Sequence, residues 1–111
     1  MKSFLTFTLT ILALFLLSGN ALAGGGDATA GKAVFDTKCK MCHGPDGKGN
    51  AALAKAMNVT LPDMTSQATQ SKSDDAFKKQ IAEGGGKMKP FKGLTDQQIT
   101  DVIAFIRSLA K

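Results

Sequence analysis

The sequence predicts an all-α fold, and three observations support this prediction. Near the C-terminal end, apolar residues recur at the spacing of one helix face, at Ile99, Val102, Ile103 and Ile106. Residues that suit helix N-caps, Ser73 and Thr95, precede two predicted helical segments. No stretch alternates apolar and polar residues for more than a few positions, as a half-buried strand would. We therefore expect helices and no sheet.

The first residues are typical of an export signal. Lys2 precedes an apolar run over residues 4–17, and Ala21 and Ala23 give the small-x-small pattern of a cleavage site. The run is too short to span a bilayer comfortably, so we expect removal of residues 1–23 rather than their retention as an anchor. The sequence thus predicts a periplasmic protein with one domain over residues 24–111 and no stable membrane insertion after cleavage.

The first half of this domain is predicted to contain two helices. One covers residues 30–38 and places Phe35 on its apolar side. Residues 44–50 combine a proline with glycines that tolerate positive φ, which predicts a turn. Residues 51–57 are good helix formers and are predicted to be the second, short helix. Residues 58–70 are rich in hydroxyl and amide side chains and predict mostly loop.

The second half is predicted to contain two more helices. One begins after Ser73, where an acidic pair favours the positive end of the helix dipole, and it ends at Gly84. The other begins at Thr95, which can form a capping box with Gln98, and continues to the basic end of the chain.

Both cysteines and the only histidine lie within five positions, as Cys39, Cys42 and His43. The pattern C-x-x-C-H is the attachment signature of c-type haem. Two thiols on one helical turn can both reach the vinyl groups at one side of a porphyrin, while the adjacent imidazole turns inward to the iron. The sequence thus predicts one haem c, bound covalently through Cys39 and Cys42. The absence of Trp and Tyr agrees with a cofactor that fills the core.

Three other kinds of site use similar residues. A disulfide oxidoreductase places C-x-x-C after a strand, which this sequence does not predict. Structural zinc needs four ligands, and the chain has no third cysteine or second histidine. A disulfide between Cys39 and Cys42 closes too small a loop to stabilise much, and it leaves His43 unexplained.

Met88 is the predicted second ligand of the iron, opposite His43, because the chain has no other histidine. It lies in a loop that contains glycines and a proline, and such a loop can bring a thioether across the haem. Met41 lies inside the attachment turn, whereas Met57 and Met64 are expected to fill gaps in the core.

Together these segments resemble the small bacterial class I c-type cytochromes. The matching stretches are "GKAVFDTKCKMCHGPDGKG", "KMKPF" and "LTDQQITDVIAFIRSLAK". The resemblance implies the small cytochrome c fold, with three to five helices around one covalently bound haem. It also implies that the N- and C-terminal helices cross, where Gly31 and Phe35 meet Phe105.

The same resemblance implies details around the iron. A backbone carbonyl, for which Pro62 is the candidate, accepts the ring N–H of His43. Many relatives carry a Met-Pro pair, whereas Lys89 separates Met88 from Pro90 here.

An iron that His43 and Met88 both ligate has no open position for a substrate. We therefore expect a single-electron carrier with a relatively high reduction potential, and no enzyme activity. The alternative is a haem-based sensor or ligand-binding protein, which would follow if Met88 were a labile ligand.

The charge of the chain bears on its partners. A formal net charge of +5 is too small and dispersed to favour nucleic acid. Six lysines flank the attachment turn or the methionine loop: Lys38, Lys40, Lys48, Lys87, Lys89 and Lys92. They form either an ordinary solvated surface or a basic rim that steers a monomer to acidic redox partners.

Overall fold

The structure of the protein is a computed structural model that describes residues 25–111. The predicted signal segment, residues 1–23, lies outside them. The described residues form six helices: α1 (Ala28–Lys38), α2 (Lys40–His43), α3 (Ala51–Met57), α4 (Gln67–Gln70), α5 (Asp74–Glu83) and α6 (Asp96–Ser108). They include no strand, only an isolated bridge between Gly85 and Met88. The predicted all-α class is confirmed, with four helices longer than a single turn.

Helices α1 and α6 cross in close contact, as predicted. Gly31 on α1 is buried, and a Cβ at that position would overlap the backbone carbonyl of Asp101 on α6. One helical turn later, the rings of Phe35 and Phe105 pack with centroids 5.0 Å apart and planes at 57°. Tilted aromatic pairs of this kind are favourable beyond the area they bury.

A buried carboxylate ties the start of α1 to α6. Asp27 caps α1, and its side chain accepts hydrogen bonds from the backbone amides of Thr29 and Ala30. The backbone amide of Asp27 donates to Asp101 Oδ1 at 2.9 Å, and Gln97 Nε2 donates to the same oxygen at 2.8 Å. Asp101 is therefore buried with partners rather than unsatisfied.

Helix α6 supplies much of the hydrophobic core. Its N-terminus has the predicted capping box, in which Thr95 and Gln98 each bond the other's backbone amide. Its inner face buries five apolar residues: Ile99, Val102, Ile103, Phe105 and Ile106. These pack with Phe35 of α1 and with Phe77 and Ile81 of α5.

Arg107, near the end of α6, holds the connection between α4 and α5. Its Nη1 donates to the carbonyl of Gln70 at 2.6 Å, and its Nη2 donates to the carbonyl of Lys72 at 2.6 Å. Nη2 also pairs with Asp74 Oδ1 at 2.8 Å, while the guanidinium lies 4.8 Å from the ring centroid of Phe77. One side chain thus orders the backbone that leads into α5.

The predicted boundaries differ from the structure in two places. Helix α1 begins two residues earlier than expected, because Asp27 provides its N-cap. Helix α4 lies within the segment 58–70 that was expected to be mostly loop. Ser66 caps this turn by accepting a hydrogen bond from the Thr69 amide. The hydroxyl of Ser66, one of the side chains that predicted a loop, is thus the N-cap of a helix. Helix α3 has the predicted bounds.

Candidate functional site

A cavity of about 770 Å³ lies between α2, α3, α5, α6 and the loops that follow α3 and α5. Its lining is mainly apolar and includes Leu53, Val59, Phe77, Ile81 and Ile106. Volumes of about 300–1,000 Å³ with such a lining are typical of cofactor pockets. The cavity is therefore the natural place to look for the predicted site residues.

The C-x-x-C-H motif forms a single helical turn at the wall of this cavity. The backbone amides of Cys42 and His43 both donate to the carbonyl of Cys39, at 3.2 and 3.0 Å. Both thiols are free and half-buried. Burial, with a smaller contribution from the charge of Cys42, raises the pKa of the Cys39 thiol to about 11. The two cysteines lie on one helical turn and are not joined by a disulfide.

The turn after the motif holds it in place. The amide of Gly49 donates to the carbonyl of His43 at 2.7 Å, and the amide of Asn50 donates to the carbonyl of Cys42 at 2.9 Å. Gly44 and Gly49 have φ values of 76° and 95°, which glycine adopts without strain. The predicted turn is thus confirmed, and it bonds the carbonyls at the end of α2.

His43 lines the cavity with a ring that is largely removed from water. This burial lowers the pKa of its imidazole, which favours the neutral form that ligates metals. Its Nδ1 atom is buried and has no hydrogen-bond partner within residues 25–111. The implied hydrogen bond to the carbonyl of Pro62 is therefore not formed, although Pro62 lines the same cavity.

Met88 reaches the cavity from a tight loop after α5. Gly85 and Met88 exchange two backbone hydrogen bonds of 2.9 Å, and the amide of Phe91 donates to the carbonyl of Ile81 at 2.9 Å. Gly84 has φ of 70°, and a Cβ there would lie 2.5 Å from the Met88 carbonyl oxygen. The loop therefore needs glycine at this point to carry Met88 against the core.

The structure brings three of the four predicted site residues to one cavity: Cys42, His43 and Met88. Cys39 packs against the neighbouring hydrophobic core instead of contributing to the cavity wall. One cofactor in this cavity could therefore contact both His43 and Met88.

The other methionines are arranged largely as expected. Met41 is 78 % exposed and Met64 is buried. Met57 was expected to be buried, but it is 36 % exposed and lines the cavity.

Two cavity residues, Gln80 and Lys72, did not stand out in the sequence. Gln80 Nε2 donates to Met88 Sδ at 3.4 Å, and Lys72 lines the cavity together with Lys87. Helical spacing predicts which residues of α5 face the core, but the contact of Gln80 with Met88 depends on the path of the loop between them. No sequence pattern specifies that path.

Comparisons with known proteins show which family the chain belongs to. A family model described as Cytochrome c matches residues 28–110. This chain belongs to the cytochrome c family. It is similar to a cytochrome c6 of Rippkaea orientalis, with 34 % identity over 112 residues that cover 100 % of this chain and 96 % of that protein. The chain is also similar to a cytochrome c6 of Cyanidioschyzon merolae, with 31 % identity over 116 residues that cover 100 % of this chain and 97 % of that protein.

Solved structures show the same cytochrome c fold. The c-type cytochrome KustC0563 superposes with a TM-score of 0.64 and 28 % identity, over 73 % of this chain and 98 % of that one. The chain is thus a small class I c-type cytochrome. This confirms the family resemblance and the all-α fold class that were predicted from the sequence.

The cofactor of this cytochrome is haem c, held covalently, as the family implies. The residues present fit that group. The cavity is apolar, its wall carries the C-x-x-C-H motif, and the buried His43 Nδ1 has no protein partner among the described residues. None of the helices along residues 25–111 has the length and hydrophobicity that a membrane crossing requires.

Proposed function

We propose that this cytochrome is a periplasmic single-electron carrier in which His43 and Met88 ligate the haem iron and Cys39 and Cys42 attach the porphyrin. One observation carries the proposal: His43 and Met88, far apart in sequence, line the same apolar cavity as Cys42. Similarity over the whole chain to proteins named cytochrome c6 supports a carrier of this size.

The bound haem supplies a one-electron change between ferrous and ferric iron. His43 contributes a neutral imidazole, because burial lowers its pKa. Met88 contributes a thioether, which favours the reduced iron more than a second imidazole would. The apolar lining disfavours the additional positive charge of the oxidised state. We expect a relatively high reduction potential, and a strongly negative midpoint in a redox titration would contradict this assignment.

Ligation by two side chains leaves no iron position for a substrate, which favours a carrier over an enzyme. The direct test is the weak far-red absorption band of methionine-ligated ferric haem. We expect this band in the wild type and its loss in Met88→Leu. Met57→Leu is the matched control, because Met57 lines the same cavity and its replacement should leave the band in place.

The outcomes of this test separate two functions. A wild-type protein without the band, in which ferric iron readily binds added ligands, would support a haem-based sensor instead. Persistence of the band in Met88→Leu would reject Met88 as the ligand.

Mass spectrometry tests the attachment and the maturation of the chain. We expect one haem per chain, with no covalent haem in a Cys39→Ala, Cys42→Ala double variant. We also propose that residues 1–23 are cleaved, so that the periplasmic fraction contains a protein beginning at Gly24. A retained N-terminal segment in that protein would show that the signal serves as an anchor.

We further propose that this monomer docks with acidic redox partners. All six lysines of the predicted rim are exposed, and Lys87 lines the cavity together with Lys72. Lys87→Glu should slow electron transfer to an acidic partner at low salt, and added salt should reduce the difference. Lys78→Glu is the control, because Lys78 of α5 lines a different groove, beside Ala104. Equal effects of the two variants would show that the lysine rim has no specific role in docking.

A further inference from the structure

The backbone carbonyls of α2, the turn that carries the C-x-x-C-H motif, are bonded by the segment that follows it. A helix cannot bond its last four carbonyls itself, and in α2 these belong to all four of its residues, Lys40–His43. The backbone amides of Gly44 and Gly49 bond the first and the last of these carbonyls, at 2.8 and 2.7 Å. Asn50 bonds the two carbonyls between them.

The half-buried residue Asn50 connects α2 to α3. Its backbone amide donates to the carbonyl of Cys42 at 2.9 Å, and its Nδ2 donates to the carbonyl of Met41 at 3.1 Å. Its Oδ1 accepts from the amide of Leu53 at 3.1 Å, which makes Asn50 the N-cap of α3. One side chain thus bonds the end of α2 and the beginning of α3 at the same time.

Helix α3 forms part of the cavity wall although none of its residues is buried. Leu53 and Met57 of this helix both line the cavity. A helix of seven residues is marginal on its own, and most helices in proteins are held by an apolar face that packs in the core. Because α3 has no buried face, its position depends more strongly on the hydrogen bonds through Asn50.

We propose that Asn50 is a positioning residue that holds α3 against α2 and so keeps water away from the haem on this side of the cavity. The inference rests on the proposed function, because it takes this haem as the group that carries the electron. Water that reaches a haem stabilises the additional positive charge of ferric iron, so exposure lowers the reduction potential. Asn50 is not part of the cavity wall, so it acts on the potential through α3.

Redox titration of two Asn50 variants tests this proposal in the holoprotein. Asn50→Ser keeps a good N-cap but lacks the amide that bonds the Met41 carbonyl, whereas Asn50→Ala loses both side-chain bonds. We expect a lower midpoint potential in both variants, with the larger shift in Asn50→Ala. Asn58→Gly is the matched control and should not shift the potential. Asn58 lies at the other end of α3, is absent from the cavity wall and has φ of 53°, which glycine adopts without strain.

Hydrogen exchange of the Leu53 amide reports on the same connection directly. Loss of its acceptor in Asn50→Ala should speed this exchange by about two- to tenfold, while Asn50→Ser should exchange at nearly the wild-type rate. The urea midpoint of Asn50→Ser should stay close to wild type, because its cap is retained and Met41 is exposed, so water can bond its carbonyl. A lower potential with an unchanged urea midpoint therefore separates positioning from general destabilisation.

Two results would overturn the inference and leave the proposed function intact. One is a midpoint potential in both Asn50 variants equal to that of Asn58→Gly. The other is wild-type exchange of the Leu53 amide in Asn50→Ala. A wild-type protein without covalent haem would overturn the inference and the proposed function together.

Discussion

Replacement of Gly31 by alanine is the sharpest test of the helix crossing. Helix propensity alone favours alanine over glycine by about 1 kcal/mol inside a helix. The structure predicts the opposite sign, because the new Cβ would overlap the carbonyl of Asp101 and lie 2.9 Å from the backbone nitrogen of Val102. These atoms belong to the backbone of α6 and cannot rotate away.

The magnitude follows from the separation that the methyl group requires. Ordinary contacts between carbon and oxygen are about 3.3–3.6 Å, so α1 and α6 would have to move apart by more than an ångström. That movement loosens the contact between Phe35 and Phe105. Overpacking of a core costs about 1–3 kcal/mol and occasionally more. Because the overlap is with backbone atoms, we take the upper end of this range, and after the gain in helix propensity we expect a net loss of about 2 kcal/mol.

Urea unfolding of the ferric holoprotein, followed by circular dichroism, measures this loss. For a domain of this size, it corresponds to a melting temperature lower by about 8–16 °C. Gly93→Ala is the control, because its Cβ would meet nothing within 4 Å, and it should change stability by less than about 0.5 kcal/mol. A Gly31→Ala protein as stable as wild type would refute the close crossing.

Three further predictions concern stability. Thr95→Ala removes half of a capping box and should lower the free energy of unfolding by about 1 kcal/mol, measured by urea denaturation. Arg107→Lys cannot bond the two carbonyls and the carboxylate together, and it should cost about 1–2 kcal/mol in the same assay. Hydrogen bonds from Thr65 lower the pKa of Asp63 below its ordinary value of 3.8. The ionised form therefore stabilises the fold above pH 3.8, and this contribution disappears as the pH falls through the lower folded value. The stability advantage of wild type over Asp63→Asn should shrink over that range, and a pH-independent difference would reject the assignment.

Local signals predicted much of the fold from the sequence. The capping box at Thr95 and the stop at Gly84 depend on residues within a few positions of each other, and both occur as expected. The C-x-x-C-H turn is equally local, so Cys42 and His43 could be placed on one helical turn. Such signals depend on a few neighbouring residues, so they can be recognised without knowledge of the tertiary fold.

Contacts between distant segments were less predictable. The side chain of Arg107 finds carbonyl partners more than thirty positions away, at Gln70 and Lys72. Charge alone marks an arginine as a good C-terminal helix residue, which was the expectation here. The positions of these carbonyls depend on the path of the folded loop. Neither composition nor periodicity predicts that path.

Helix α6 connects the crossing to the cavity, so the two regions should respond together to mutation. Asp101 bonds the amide of Asp27 at the start of α1. About one turn later, Ile106 lines the cavity, and Arg107 orders the segment that leads into α5. A displacement of α6 where it crosses Gly31 of α1 therefore moves residues that line the cavity. Gly31→Ala should alter the far-red band as well as stability, although no atom of Gly31 lies in the cavity wall.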